Sequence, residues 1–194
     1  MTSIWLEGVR RGLDQALDLL AGGIKECSGD AWATPMWPVS APGDDHVFLG
    51  EDWKPIDAGQ RSAFVQQWVA RRSTPWSVAW HALEGLDYDL TGEMGFWMPP
   101  APFAGHPHWR DLPSLAASWT QSELLGYVEY CRRRVSDTLA VMSDADAARP
   151  LPAAHRYSGQ PHAWIIAGLA AHTTEHAAQI RQFITHFEPQ GTGI

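Results

Sequence analysis

From Gln160 to Phe187 the apolar residues Ile165, Leu169, Ile180 and Phe183 recur at helical spacing, and the two histidines of His172-Thr-Thr-Glu175-His176 fall inside the same stripe. A helix with such a stripe has to bury it. The fold must therefore bring suitable partners to two imidazoles that sit one turn apart. A buried imidazole without a partner costs roughly 1–3 kcal/mol, whereas a divalent cation satisfies both nitrogens at once. The spacing predicts that His172 and His176 face the core and form half of a metal site.

The rest of the chain supplies helices for that one to pack against. Ile4, Leu6, Val9, Leu13, Ala16, Leu17, Leu20 and Ile24 give an amphipathic helix from about Ser3 to Glu26, weakened in its last turns by Gly22-Gly23. A loop rich in proline and tryptophan follows, Ala31 to Asp57, and then a short helix from about Ala58 to Arg72. Thr74 as N-cap and Pro75 in the first helical position start the next helix, which runs to about Leu90. A second proline and tryptophan loop spans Thr91 to Leu115. Thr120 and Glu123 then form a capping box for a helix to about Met142. Asp144 to Gly159 is a connection interrupted by Pro150 and Pro152.

Four long helical segments, with no strand-like alternation and no internal repeat, predict an all-α, four-helix bundle with long crossover loops. A chain of 194 residues is enough for one core, so residues 1–194 are read as a single domain. Several of the 11 tryptophans lie in the loops (Trp32, Trp37, Trp53, Trp97 and Trp109), which predicts that the loops fold back over that core.

Charge narrows the partners. A net charge of −8, with no basic run beyond Arg132-Arg133-Arg134 and Arg71-Arg72, argues against nucleic acid and anionic membrane surfaces. The amino terminus enters a charged periodic pattern at once, so neither a signal peptide nor a membrane span is expected. Cys27 and Cys131 have no CxxC spacing; they fit a reducing cytoplasm and do not suggest cysteine ligation.

The histidine pair needs at least a third ligand, and His46, His81, His106, His108, His155, His162 and His186 are available. His81 lies deep inside a long helix, on one polar stripe with Ser77, Glu84 and Tyr88. A polar stripe on an apolar helix needs polar company inside a bundle, and the histidine pair offers it. His106 and His108 fall in a loop, and His186 lies near the end of the last helix. The predicted ligand set is His81, His172 and His176, holding one divalent transition metal, Zn, Ni or Fe, with an open position for water or substrate. Glu84, Glu175, Gln179 and Tyr88 are near enough in sequence to orient a ligand.

The segment from Trp76 to Asp87 containing His81, followed about ninety residues later by His172-Thr-Thr-Glu-His176-Ala-Ala-Gln179-Ile180, resembles the DinB/YfiT-like superfamily of metalloenzymes. The resemblance implies a four-helix bundle with one histidine ligand on its second long helix and an HxxxH pair on its last. It also implies a homodimer and a small-molecule thiol partner of the bacillithiol or mycothiol type. The activity it implies is a metal-dependent S-transferase in which the thiolate attacks an electrophilic substrate. The two long loops set this chain apart from smaller relatives and leave the substrate open.

Three other readings compete, one of them an interaction module whose tryptophan-rich surface binds a partner or a second copy of the chain. The histidine segment also fits the inverted zinc-peptidase pattern H-x-x-E-H with Glu175 as general base, but the only acid after it is Glu188, and that reading needs a distant carboxylate ligand. Alternatively, the cation ties two helices together in a non-enzymatic, stress-associated bundle. Access to an open coordination position at a pocket separates that reading from an enzyme.

Overall fold

The computed structural model describes residues 4–37, 72–91, 97–105, 118–153, 155 and 157–187. Six α-helices lie among them: α1 (Ile4–Glu26), α2 (Gly29–Trp32), α3 (Pro75–Thr91), α4 (Gln121–Val141), α5 (Asp144–Ala148) and α6 (His162–His186). The described residues hold no strand, only an isolated bridge between Pro150 and Pro161. No described helix is long and apolar enough to cross a membrane. The short helix expected over Ala58 to Arg72 lies almost wholly outside the described residues, as does most of both long loops.

The long helices form because their apolar residues repeat at the helical period, and their ends are fixed by local chemistry. Thr74 Oγ1 accepts from the Ser77 backbone N–H at the start of α3. Thr120 and Glu123 close a reciprocal capping box at the start of α4. At the other end of α1, the Gln121 side chain of α4 donates to the carbonyls of Ile24 and Cys27, satisfying acceptors that a helix end leaves open.

The Gly22-Gly23 pair does not end α1. Gly23 is buried, and a Cβ built on it would lie 3.3 Å from Ile180 Cγ2 of α6, so the missing side chain is what lets the two helices approach. The connection after α4 differs from the sequence expectation. Ser143 and Asp146 form a second capping box and support the five-residue α5. Hydroxyl-to-carboxylate spacing was present in the sequence there, but it preceded no apolar run that would have marked a helix.

Helix α1 packs along α6 and α4, and α3 packs against the same two. Their inward faces join one apolar cluster, with Leu13, Leu17 and Ile24 of α1, Trp76, Trp80 and Leu83 of α3, Tyr127 and Val135 of α4, and Ile166 and Ile180 of α6. Some of the described loop aromatics fold onto this cluster. Trp32 is buried and donates Nε1–H to Trp119 O at 2.8 Å, and Phe103 stacks on Tyr127. Trp37 stays exposed, and Trp53 and Trp109 lie outside the described residues.

A buried charge locks α3 to its neighbours. Asp87 accepts from Trp97 Nε1–H at 2.9 Å and Tyr127 O–H at 3.2 Å, and pairs with Arg134 Nε at 3.1 Å. Burial pushes the Tyr127 hydroxyl far above its ordinary pKa, so it stays protonated and can donate.

Candidate metal centre

His81 projects from the middle of α3, and His172 and His176 project from α6 one turn apart. Packing of α3 on α6 brings the three rings together, with centroids 5.2 Å apart for His81 and His172, 5.0 Å for His81 and His176, and 4.5 Å for His172 and His176. One ligand nitrogen from each lies within 4.8 Å of the others, and among the described residues this is the only group of three or more potential ligands with that geometry. His155, His162 and His186 lie elsewhere, and His46, His106 and His108 fall outside the described residues.

Burial corrects one expectation. His172 and His176 do not lie in the centre of the apolar stripe, which runs through Ile165, Ile166, Leu169, Thr173, Ala177 and Ile180. They flank it on the side toward α3 and are half-buried, as is His81. The offset follows from the period: a residue next to a core position on a helix is turned about 100° away from it. The histidines consequently reach both α3 and solvent.

The donor set suits a divalent cation. Two nitrogens bound 2.0–2.1 Å from a tetrahedral ion lie roughly 3.3 Å apart, and His172 Nε2 and His176 Nε2 are 3.1 Å apart. On its other edge His176 donates Nδ1–H to Gln179 Oε1 at 2.9 Å, which leaves the Nε2 lone pair available. The contact between the two Nε2 atoms then has His172 as donor, and an incoming cation must displace that proton.

The four candidate orienting residues separate. Gln179 performs this role for His176. Glu84 is buried, with a carboxyl oxygen 3.9 Å from His81 Nδ1, which places it beside that candidate ligand. Glu175 is on the exposed face of α6, which gives no support to the inverted-peptidase role for it. Tyr88 packs instead on Trp97 and His155.

Sequence reasoning missed two features beside the histidines. Gly85 follows His81 by one turn, and a Cβ there would lie 3.5 Å from His172 Cε1. One turn further, Asp89 is buried, with His155 Nε2 3.5 Å from its Oδ1 and His162 Nε2 3.4 Å from its carbonyl oxygen. His155 Nδ1 accepts from the Tyr157 backbone N–H, so its proton is on the nitrogen facing Asp89. A signal existed: His81, Gly85 and Asp89 stand at i, i+4 and i+8 on one helix face. Asp89 and His172 both line a cleft of about 440 Å³ along α6.

No family model, curated protein or solved structure matches this chain. Three histidines positioned to hold a metal ion are what its geometry establishes.

Proposed function

We propose that the chain is a DinB/YfiT-like four-helix bundle that binds one divalent transition metal, Zn, Ni or Fe, through His81, His172 and His176, and that it is a thiol S-transferase or a related metalloenzyme. The observation that carries this reading is the convergence of three imidazoles from two packed helices. Three protein ligands leave a coordination position open, as catalytic sites do. A bound metal would supply positive charge that favours the thiolate of a small thiol, or hydroxide, over the protonated form.

One further observation supports catalysis over a purely structural ion. The ligands are half-buried, and His172 also lines the cleft, so a small molecule has a route to the open position. The chain's own described thiols are poor nucleophiles: burial pushes Cys27 up to about 11 and holds the Cys131 thiol well above its usual range. This favours a reacting thiol from outside the protein.

The test is elemental analysis of untagged protein after reconstitution with each metal, followed by assay of bacillithiol, mycothiol and glutathione consumption with a model electrophile. His81→Ala and His172→Ala should lose the metal, and His186→Ala should keep it. At a metal concentration 100 times Kd, binding should stabilise the wild type by about 2.7 kcal/mol and leave His172→Ala unmoved. Equal metal content in all variants would sink the site. Turnover that survives complete chelation would leave the second reading, an ion that ties α3 to α6 without catalysis.

A further inference from the structure

The cleft beside α6 has a composition that metal binding does not explain. Its volume of about 440 Å³ falls within the range of small-molecule sites. Trp164 and Tyr157 line it while keeping 53% and 41% of their surface exposed, although large rings are ordinarily covered. The two rings meet edge to face, with centroids 5.4 Å apart and planes at 70°, and form an aromatic corner. Ring faces carry negative quadrupole charge and attract cations and other flat rings.

The remaining lining residues narrow the ligand. Gly168 sits within α6, where glycine is disfavoured relative to alanine, and a Cβ built on it meets no atom within 4 Å. Its missing side chain keeps that part of the cleft clear. Leu169 supplies apolar wall, and Asp89 is the single formally charged residue among the described lining residues. A flat ring fits the aromatic corner. An ammonium group on an alkyl arm of that ring would complement Asp89 and the ring faces, whereas a carboxylate would meet like charge.

We propose that this cleft binds a small aryl-alkylamine, with its ring on Trp164 and Tyr157 and its ammonium group toward Asp89. Because His172 lines the same cleft, the bound compound lies beside the metal centre. That placement makes electrophiles that carry an aryl-alkylamine group, together with a leaving group for the thiolate to displace, the substrate class of the activity proposed above, and this last step rests on that reading.

The experiment is calorimetric titration of the zinc-loaded protein with tryptamine and, separately, with indole-3-acetate, which has the same ring and the opposite charge. Tryptamine should bind saturably, with indole-3-acetate weaker by about tenfold or more. Trp164→Ala and Gly168→Leu should each weaken tryptamine binding by about tenfold and leave zinc content at the wild-type value. Gly168→Ala, which keeps the cleft open, should bind as the wild type does, and circular dichroism should show all three variants folded.

Absence of saturable tryptamine binding, equal affinity for indole-3-acetate, or undiminished binding to Gly168→Leu would each overturn the cleft assignment. A protein that takes up no zinc yet passes the tryptamine test keeps the cleft and loses the metal reading. Zinc uptake with failure of the tryptamine test overturns the cleft alone.

Discussion

Gly85 of α3 lies against the ring of His172 of α6, so that a Cβ at position 85 would be 3.5 Å from His172 Cε1 and 4.0 Å from Nδ1. An alanine fits at that distance, but a branched side chain has to displace the imidazole. Gly85→Ala should retain zinc binding. Gly85→Val should weaken it by about ten- to a hundredfold, as disturbing groups that orient a metal ligand does, with all three histidines still in place. A chelator-competition titration measures both, and equal affinities would show that this contact does not position His172.

Gln179 holds His176 in the tautomer that leaves its Nε2 lone pair open. Gln179→Ala should lower zinc affinity by about ten- to a hundredfold, while Gln179→Glu, which can also accept from Nδ1, should recover most of it. Helix content should stay unchanged in both, because Gln179 is half-buried on the edge of α6.

His162 gives a pH dependence of known sign. Burial, the leading cause, lowers its pKa from the ordinary 6.5. The unfolded chain then binds the proton more readily than the folded one, so the contribution to stability is whole above pH 6.5 and is lost as the pH falls from there through the lower folded value. Thermal melts of metal-free protein between pH 7.5 and 5 should show a smaller loss for His162→Phe than for the wild type. A variant with the same or steeper decline would remove His162 from the account.

Asp87 should be the costliest single polar truncation in α3. Asp87→Ala strands the Tyr127 hydroxyl, the Trp97 indole and the Arg134 guanidinium. Removing one partner of a buried pair costs roughly 3–5 kcal/mol, and because the Arg134 side chain is 34% exposed the lower end applies, about 3 kcal/mol by urea unfolding. Asp87→Asn keeps an acceptor for the two neutral donors and should lose less. A loss below about 1 kcal/mol for Asp87→Ala would mean that solvent replaces the network.

Much of the helix plan was legible because its signals are local. The Thr120 and Glu123 box, the Thr74 cap and the apolar spacing of α1 and α6 act within a few residues of one another. The helix α5 was missed because five residues carry too little periodicity to register against Pro150 and Pro152. The placement of His172 and His176 in the apolar stripe was off by one position, since a sparse pattern of four apolar residues defines the centre of a helix face only coarsely. Gln179 was legible from its spacing of three residues from His176.

The sequence by itself determined that the described chain is helical and that His172 and His176 stand one turn apart, because backbone periodicity and i, i+4 geometry require nothing beyond neighbouring residues. It also narrowed the third histidine to His81 through that residue's polar stripe on an apolar helix. Only the tertiary structure decided that α3 meets α6 at the height where Gly85 admits the His172 ring, that Asp89 faces His155, and that Trp164 and Tyr157 border an open cleft. Those relationships depend on how side chains interdigitate across two helices, which the spacing of residues within either helix does not specify.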